Sequence, residues 1–202
     1  MKAEMASDTY KSIKRESTGI YRESGSRFLA YAYPVSREEE IKPIIAALKR
    51  EHFGARHHCY AFRLGLKGEP WRANDDGEPS STAGKPIFGQ ILSNELSDIL
   101  IVVVRYFGGV KLGVPGLIRA YKSAAADAIA NAETVTKRAM VNLSVSFEFE
   151  QLNSVMKLIK DYSATINEQH YDNICKITFS VPLNDSTPLT DALKKLNISV
   201  YA

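Results

Sequence analysis

Cysteine is scarce in this chain: Cys59 and Cys175 are the only two among 202 residues. They stand far apart and make no metal-ligand pair, so they read as small core residues in a reducing compartment. Long apolar runs are missing as well. Nothing approaches the roughly 18 consecutive apolar residues of a membrane span, and Met1-Lys2-Ala3-Glu4 opens no signal-peptide apolar region. A cytoplasmic protein without membrane contact is the expectation. Charge of one sign is also in short supply. The net charge of +3 falls short of a nucleic-acid signature. Its distribution is uneven, however: residues 1–137 hold 20 Lys and Arg against 16 Asp and Glu, and residues 138–202 hold 6 against 7. A Walker loop is lacking, because Gly77 and Gly84 are too far apart and Pro86 follows Lys85. No catalytic triad order or nucleophile elbow occurs. His57 and Cys59 point to one face of a strand, and no third ligand lies close in sequence, so neither metal nor cofactor is expected.

What is present is organised around residues 99–119. Ile99-Leu100-Ile101-Val102-Val103-Val104 is an unbroken apolar, β-branched run, which predicts a strand buried on both faces. Arg105-Tyr106-Phe107 ends it, and a loop with Gly108, Gly109, Lys111, Gly113 and Gly116 leads into an Ala-rich helix. A buried strand, a glycine loop with cations and a helix N-terminus can receive an anion. The same pattern also describes a strand-to-helix turn that needs several positive φ angles, and the residues alone leave both readings open.

In chain order, Tyr10–Arg22 predicts a first strand with a bend at Gly19, and Arg27–Tyr33 a second, stopped by Pro34. Ser36 with Glu39 fits a capping box before a helix on Ile41, Ile44, Ile45 and Leu48; Pro43 implies a kink or a late start. His57–Leu64 reads as a strand. Residues 66–85 lack periodicity and read as a long loop, which in a compact domain is usually functional or disordered; Trp71 and Thr82-Ala83-Gly84 favour the former. Pro86–Leu96 predicts a helix with Ile87, Ile91 and Leu92 inward. Leu117–Asn131 predicts another, with Leu117, Ala120, Tyr121, Ala124 and Ala128 on one face and Arg119 and Lys122 on the other. After Lys137 the texture changes. Val141, Leu143, Val145, Phe147 and Phe149 alternate with polar residues, as do Cys175, Ile177, Phe179 and Val181. With helices at 152–159 and 189–196 and weaker strands at 164–171 and 198–201, the order is βαββαβ, a ferredoxin-like split βαβ. The α+β domain plan is a partly ordered N-terminus over 1–19, a domain over 20–136 and a second over 137–202.

Two stretches carry a family resemblance. Asp75-Asp76-Gly77-Glu78-Pro79-Ser80-Ser81-Thr82-Ala83-Gly84-Lys85-Pro86-Ile87 and Arg105-Tyr106-Phe107-Gly108-Gly109-Val110-Lys111-Leu112-Gly113 resemble the signatures of the Impact/YigZ family. Arg27-Phe28 and His57-His58-Cys59-Tyr60-Ala61 match its lesser blocks. Coverage runs from about residue 20 to 130, and the tail is similar to the small C-terminal domain of the bacterial members. The resemblance implies an N-terminal domain like ribosomal protein S5 domain 2 and domain IV of elongation factor G. It implies a C-terminal domain like domain V of that factor. Ser81 and Pro115 depart from the family pattern, which carries glycine at or around those steps. The kinase-regulating role of eukaryotic members rests on an additional N-terminal domain and is not carried over.

Three functions remain in view. In the preferred, non-enzymatic one, a translation-linked protein binds RNA or the ribosome through both signature loops. Arg105, Lys111, Arg119 and Lys122 would contact phosphates, and Tyr106 or Trp71 would stack on a base. Alanine at Arg105 or Lys111 would then weaken binding without unfolding the protein. In the second, an enzyme acts on a phosphate-containing small molecule: Asp75, Asp76 and Glu78 serve as metal ligands or bases, Thr82, Lys85, Arg105 and Lys111 hold the phosphate, and His57 or His58 shuttles protons. Against it, Asp75 and Asp76 can simply accept backbone amides within the loop. In the third, Trp71, Tyr106 and Phe107 are hot spots for a protein partner.

Overall fold

In the computed structural model, which describes residues 7–201, the run from Ile99 lies at the middle of a five-stranded antiparallel sheet. The elements in chain order are β1 (Thr9–Ile13), β2 (Ser17–Glu23), β3 (Ser26–Pro34), α1 (Ile41–Glu51), β4 (His57–Arg63), β5 (Trp71–Asn74), α2 (Gly84–Ser93), β6 (Ile99–Tyr106) and α3 (Gly113–Ala130). There follow β7 (Thr134–Arg138), β8 (Met140–Glu148), α4 (Leu152–Asp161), β9 (Thr165–His170), β10 (Ile174–Pro182), α5 (Leu183–Lys195) and β11 (Ser199–Tyr201). The described residues form two compact units, one of residues 10–137 and one of residues 138–201 together with residues 7–9. No helix among the described residues is long and apolar enough to cross a membrane.

The larger unit has strand order β2-β3-β6-β4-β5. Because side chains alternate along β6, Ile99, Ile101 and Val103 join one core with α2 and α3, while Leu100, Val102 and Val104 join a second with α1. Both faces are therefore covered, as the apolar run requires. Edge strand β2 is tied to α3: Ile20 N donates to Asp127 Oδ2 and Asn131 Nδ2 donates to the Thr18 carbonyl. In the smaller unit the element order is βαββαβ and the sheet order β11-β8-β10-β9, antiparallel throughout. Leu143, Val145, Phe147, Cys175, Ile177, Phe179 and Val181 pack on one face with Val155 and Ile159 of α4 and Leu189 and Leu193 of α5. The alternating residues Ser144 and Thr178 share a hydrogen bond of 2.9 Å on the other face.

The differences from expectation have local causes. Residues 10–22 make two strands rather than one, while β3 does end at Pro34, its last residue, paired with Ile99. The capping box at Ser36 is replaced: the Ser36 amide and hydroxyl both donate to Glu40 Oε1, not to Glu39, and a short 3-10 turn over Glu38–Glu40 precedes α1. Pro43 thus falls in the opening turn of α1, where its missing amide costs nothing. The aperiodic stretch contains β5, which pairs Trp71 with Arg63 and Ala73 with Ala61. Leu92 and Phe149, expected inward, are exposed. The last helix starts earlier than expected, at Leu183, so that Pro188 lies inside α5. Residues 1–6 of the expected N-terminal segment lie outside the described residues.

Candidate functional site

The two signature loops meet at one end of β6. The register explains how: β4 runs antiparallel to β6 with His57 opposite Arg105, so the residues before β4, the acidic loop after β5 and the glycine loop after β6 converge there. Between them lies a cleft of about 780 Å³, lined by residues 54–57, 78–79, 105–107, 111–114 and Leu117, though not by Ala55. Glu78, Arg105 and Leu117 are buried and form its floor; Arg56, Phe107, Lys111, Gly113 and Val114 are exposed at its rim.

The floor is a buried polar network. Glu78 Oε1 accepts from Arg105 Nη1 at 2.6 Å and from the Tyr121 hydroxyl at 2.8 Å. The Cys59 thiol donates to Tyr121 Oη at 3.3 Å. The side chains of Glu78 and Arg105 are 3% and 8% exposed, so the pair is desolvated and mutually neutralised. Burial drives the Cys59 thiol and the Tyr121 hydroxyl well above their ordinary pKa values. Neither is a nucleophile in this setting. The Arg105 guanidinium lies 5.5 Å from the Phe28 ring and 5.6 Å from the Phe107 ring, and its Nε has no partner among the described residues.

The acidic loop is held by its own carboxylates. Asp75 accepts from three amides, Ser81 at 2.8 Å, Ala83 at 3.0 Å and Gly84 at 2.8 Å, and so ties the loop to the start of α2. Asp76 Oδ2 accepts from the His58 amide at 2.7 Å, and Oδ1 from Lys49 Nζ at 3.0 Å. The backbone-capping alternative for these two residues is the one realised. Glu78 is committed to Arg105. Thr82 is also corrected as a phosphate ligand: it is 1% exposed, and its hydroxyl donates to the Pro79 carbonyl at 2.7 Å. Ser81, the departure from the family pattern, sits at φ +64°, where glycine is unstrained and serine is not. Ser81→Gly should therefore stabilise the protein by about 0.5–1 kcal/mol. Urea denaturation checks this; an unchanged or lower midpoint would count against the assignment of strain.

The basic candidates divide. Lys111 lines the cleft and makes no ion pair or side-chain hydrogen bond among the described residues. Arg105 is not a free cation, and truncating it removes a buried partner. Arg119 pairs with Glu23, which holds that carboxyl below its ordinary range. Lys85 and Lys122 are exposed and away from the cleft lining. Tyr106 lines the cleft, but its hydroxyl bonds His52 Nδ1 at 2.9 Å and Arg27 lies over its ring at 5.0 Å. Trp71 is outside the lining and stacks on Phe88, with centroids 4.6 Å apart. His57 lines the cleft and donates from Nδ1 to the Asp76 carbonyl. His58 is buried, and desolvation lowers its pKa. Gly108 lies against the β2–β3 turn, its amide donating to Ser26 Oγ at 3.1 Å. Gly109 and Gly113 take φ of +93° and +68°, and Gly113 turns the chain into α3. Gly84 packs its Cα against the Asn74 backbone. Arg56 is the site residue that sequence reading missed. Its signal was a cation two residues after Gly54, just before β4.

Residues 24–129 match the Impact N-terminal domain. The chain belongs to the IMPACT family. It is 36% identical to IMPACT family member YvyE of Bacillus subtilis over 146 residues, covering 72% of this chain and 67% of that one. It is 31% identical to IMPACT family member YigZ of Escherichia coli over 159 residues, 78% of each. A Dictyostelium discoideum protein described as an IMPACT homolog is 34% identical over 95 residues, 45% of this chain and 27% of its own length. A solved structure of a hypothetical protein superposes with a TM-score of 0.76 at 26% identity, covering 96% of this chain and 97% of the other. The cleft of this IMPACT chain lies wholly within the matched residues.

Proposed function

We propose that this IMPACT-family protein is a translation-linked regulator that binds RNA or the ribosome at the cleft between its signature loops. One observation carries the reading: Arg56 and Lys111 both line the cleft, exposed and uncommitted among the described residues, and the exposed ring of Phe107 lines it too. Cations follow a phosphate backbone, and an open aromatic face accepts an unstacked base. Family membership supports a regulator-type protein. The commitment of Asp75, Asp76 and Glu78 to internal partners weighs against the enzyme reading, which needs these carboxylates for acid–base work.

For the two units, the proposed assignments are an S5 domain 2-like fold over 20–136 and a ferredoxin-like fold over 137–202. The strand order β11-β8-β10-β9, with both helices contributing to one apolar core, supports the second.

Binding of the protein to ribosomes and to generic single-stranded RNA, followed across a salt series, tests the proposal. Lys111→Ala should weaken binding and reduce the slope of log K against log salt by about 0.7, the loss of one phosphate contact. Its stability should stay within about 0.5 kcal/mol of wild type, because the side chain is exposed. No binding at low salt, or an unchanged slope in the variant, would reject this face.

A further inference from the structure

We propose that α2 and Trp71 form a self-association face, on which a second copy of this chain packs its own α2 antiparallel about a two-fold axis. The face is separate from the cleft lining, and the inference does not rest on the function proposed above. Three features of the face lead to it.

The first is a helix glycine without an internal use. Glycine inside a helix is destabilising relative to alanine, and a close approach usually explains it. Gly84 has such a reason, since an added Cβ would overlap the Asn74 backbone. At Gly89, in the middle of α2, a Cβ would meet nothing within 4 Å among the described residues. What the missing side chain leaves is room at the surface for another backbone.

The second is the apolar surface around that glycine. Residues three and four apart share a helix face, so Lys85, Phe88, Gly89 and Leu92 form one stripe of α2. Leu92 is 47% exposed, against the inward place that periodicity gives it. Trp71 is 54% exposed, with one ring face stacked on Phe88 at 4.6 Å. Large apolar groups thus flank a small residue, the relief that lets the ridges of one helix enter the grooves of another.

The third is charge, and it selects the occupant. Lys85 stands in the first turn of α2, exposed and uncommitted among the described residues, whereas the last turn holds no basic residue and Glu95 follows it. Glu95 pairs with Lys11 at 2.7 Å, yet its side chain stays 75% exposed and can accept a second cation. An axis near Gly89 brings each Lys85 toward the other copy's Glu95 end, where the helix dipole is also negative. A parallel arrangement would set Lys85 against Lys85. A two-fold contact pairs one patch with itself, so a second copy meets both the shape and the charge of this face.

Trp71 is the single tryptophan of the chain, so its emission reports this face alone. The test follows sedimentation velocity and Trp71 emission of the full chain over a protein concentration series. A monomer–dimer equilibrium is expected, with emission moving to shorter wavelength as dimer forms. Gly89→Ala should raise the urea midpoint measured on the monomer while weakening the dimer about tenfold or more. A purely internal role for Gly89 would not move the two in opposite directions. Lys85→Glu should weaken the dimer, and Glu95→Lys in that background should restore it. Ile174→Ser, at an exposed apolar position of the smaller unit, should leave it unchanged. A monomer at every concentration overturns the proposal, as does a dimer that Gly89→Ala leaves intact. A monomer whose Trp71 emission responds to single-stranded RNA would assign the face to RNA and overturn it as well.

Discussion

Arg105→Ala should lower the free energy of unfolding by about 3–5 kcal/mol, the usual cost of removing one member of a buried ion pair. Glu78 is the reason. Its carboxylate accepts a 2.6 Å charge-assisted bond from Arg105 and a 2.8 Å bond from Tyr121, and its side chain is 3% exposed. Without the guanidinium, a buried carboxylate keeps a single neutral donor. The guanidinium also fills space between Phe28 and Phe107, so truncation leaves a cavity on the floor. Glu78→Gln in the Arg105→Ala background should recover part of the loss, since a neutral amide can still accept from Tyr121. Urea denaturation of the two single variants and the double variant forms the required cycle. If Arg105→Ala stays within about 1 kcal/mol of wild type, the pair is not the desolvated contact described here. The large loss also separates the two basic positions: truncation acts on folding at Arg105 and on binding alone at Lys111.

Gly108→Ala should destabilise by about 2–3 kcal/mol or more, the scale of overpacking that side-chain rotation cannot relieve. An added Cβ would overlap the backbone of Gly25 and Ser26, and backbone cannot swing aside. Ser24 and Gly25 already occupy φ of 47° and 76° in the β2–β3 turn, so that turn has little room to yield. The glycine loop must then lift away, breaking the 3.1 Å bond from the Gly108 amide to Ser26 Oγ and shifting Phe107 and Lys111. Stability should therefore fall, and the proposed RNA binding at this face with it. Gly109→Ala is the informative control: that position has open space around it but a φ of +93°, so strain of about 1 kcal/mol is expected. Equal denaturation midpoints for Gly108→Ala and wild type would refute the close approach.

Much of this protein was determined by its sequence alone. An unbroken β-branched run can satisfy itself only with both faces covered, and β6 is covered by α1 on one side and α2 with α3 on the other. Strict alternation from Val141 to Phe147 and from Cys175 to Val181 specified one buried face, and those residues share one core. The signature motifs identified the family. What the sequence left open was decided by contacts between residues far apart in the chain. β5 spans four residues with too little alternation to register, and it forms because β4 offers an edge to pair with. Asp75 could be a free carboxylate or a backbone acceptor in the sequence, and the choice is made only where Ser81, Ala83 and Gly84 turn their amides back onto it. Arg105 and Lys111 look alike as cations flanking glycines. Only the fold places Glu78, 27 positions earlier, against Arg105 and leaves Lys111 in solvent. The physical reason is that periodicity reports which face a residue occupies, whereas the charge partner on that face is set by tertiary packing.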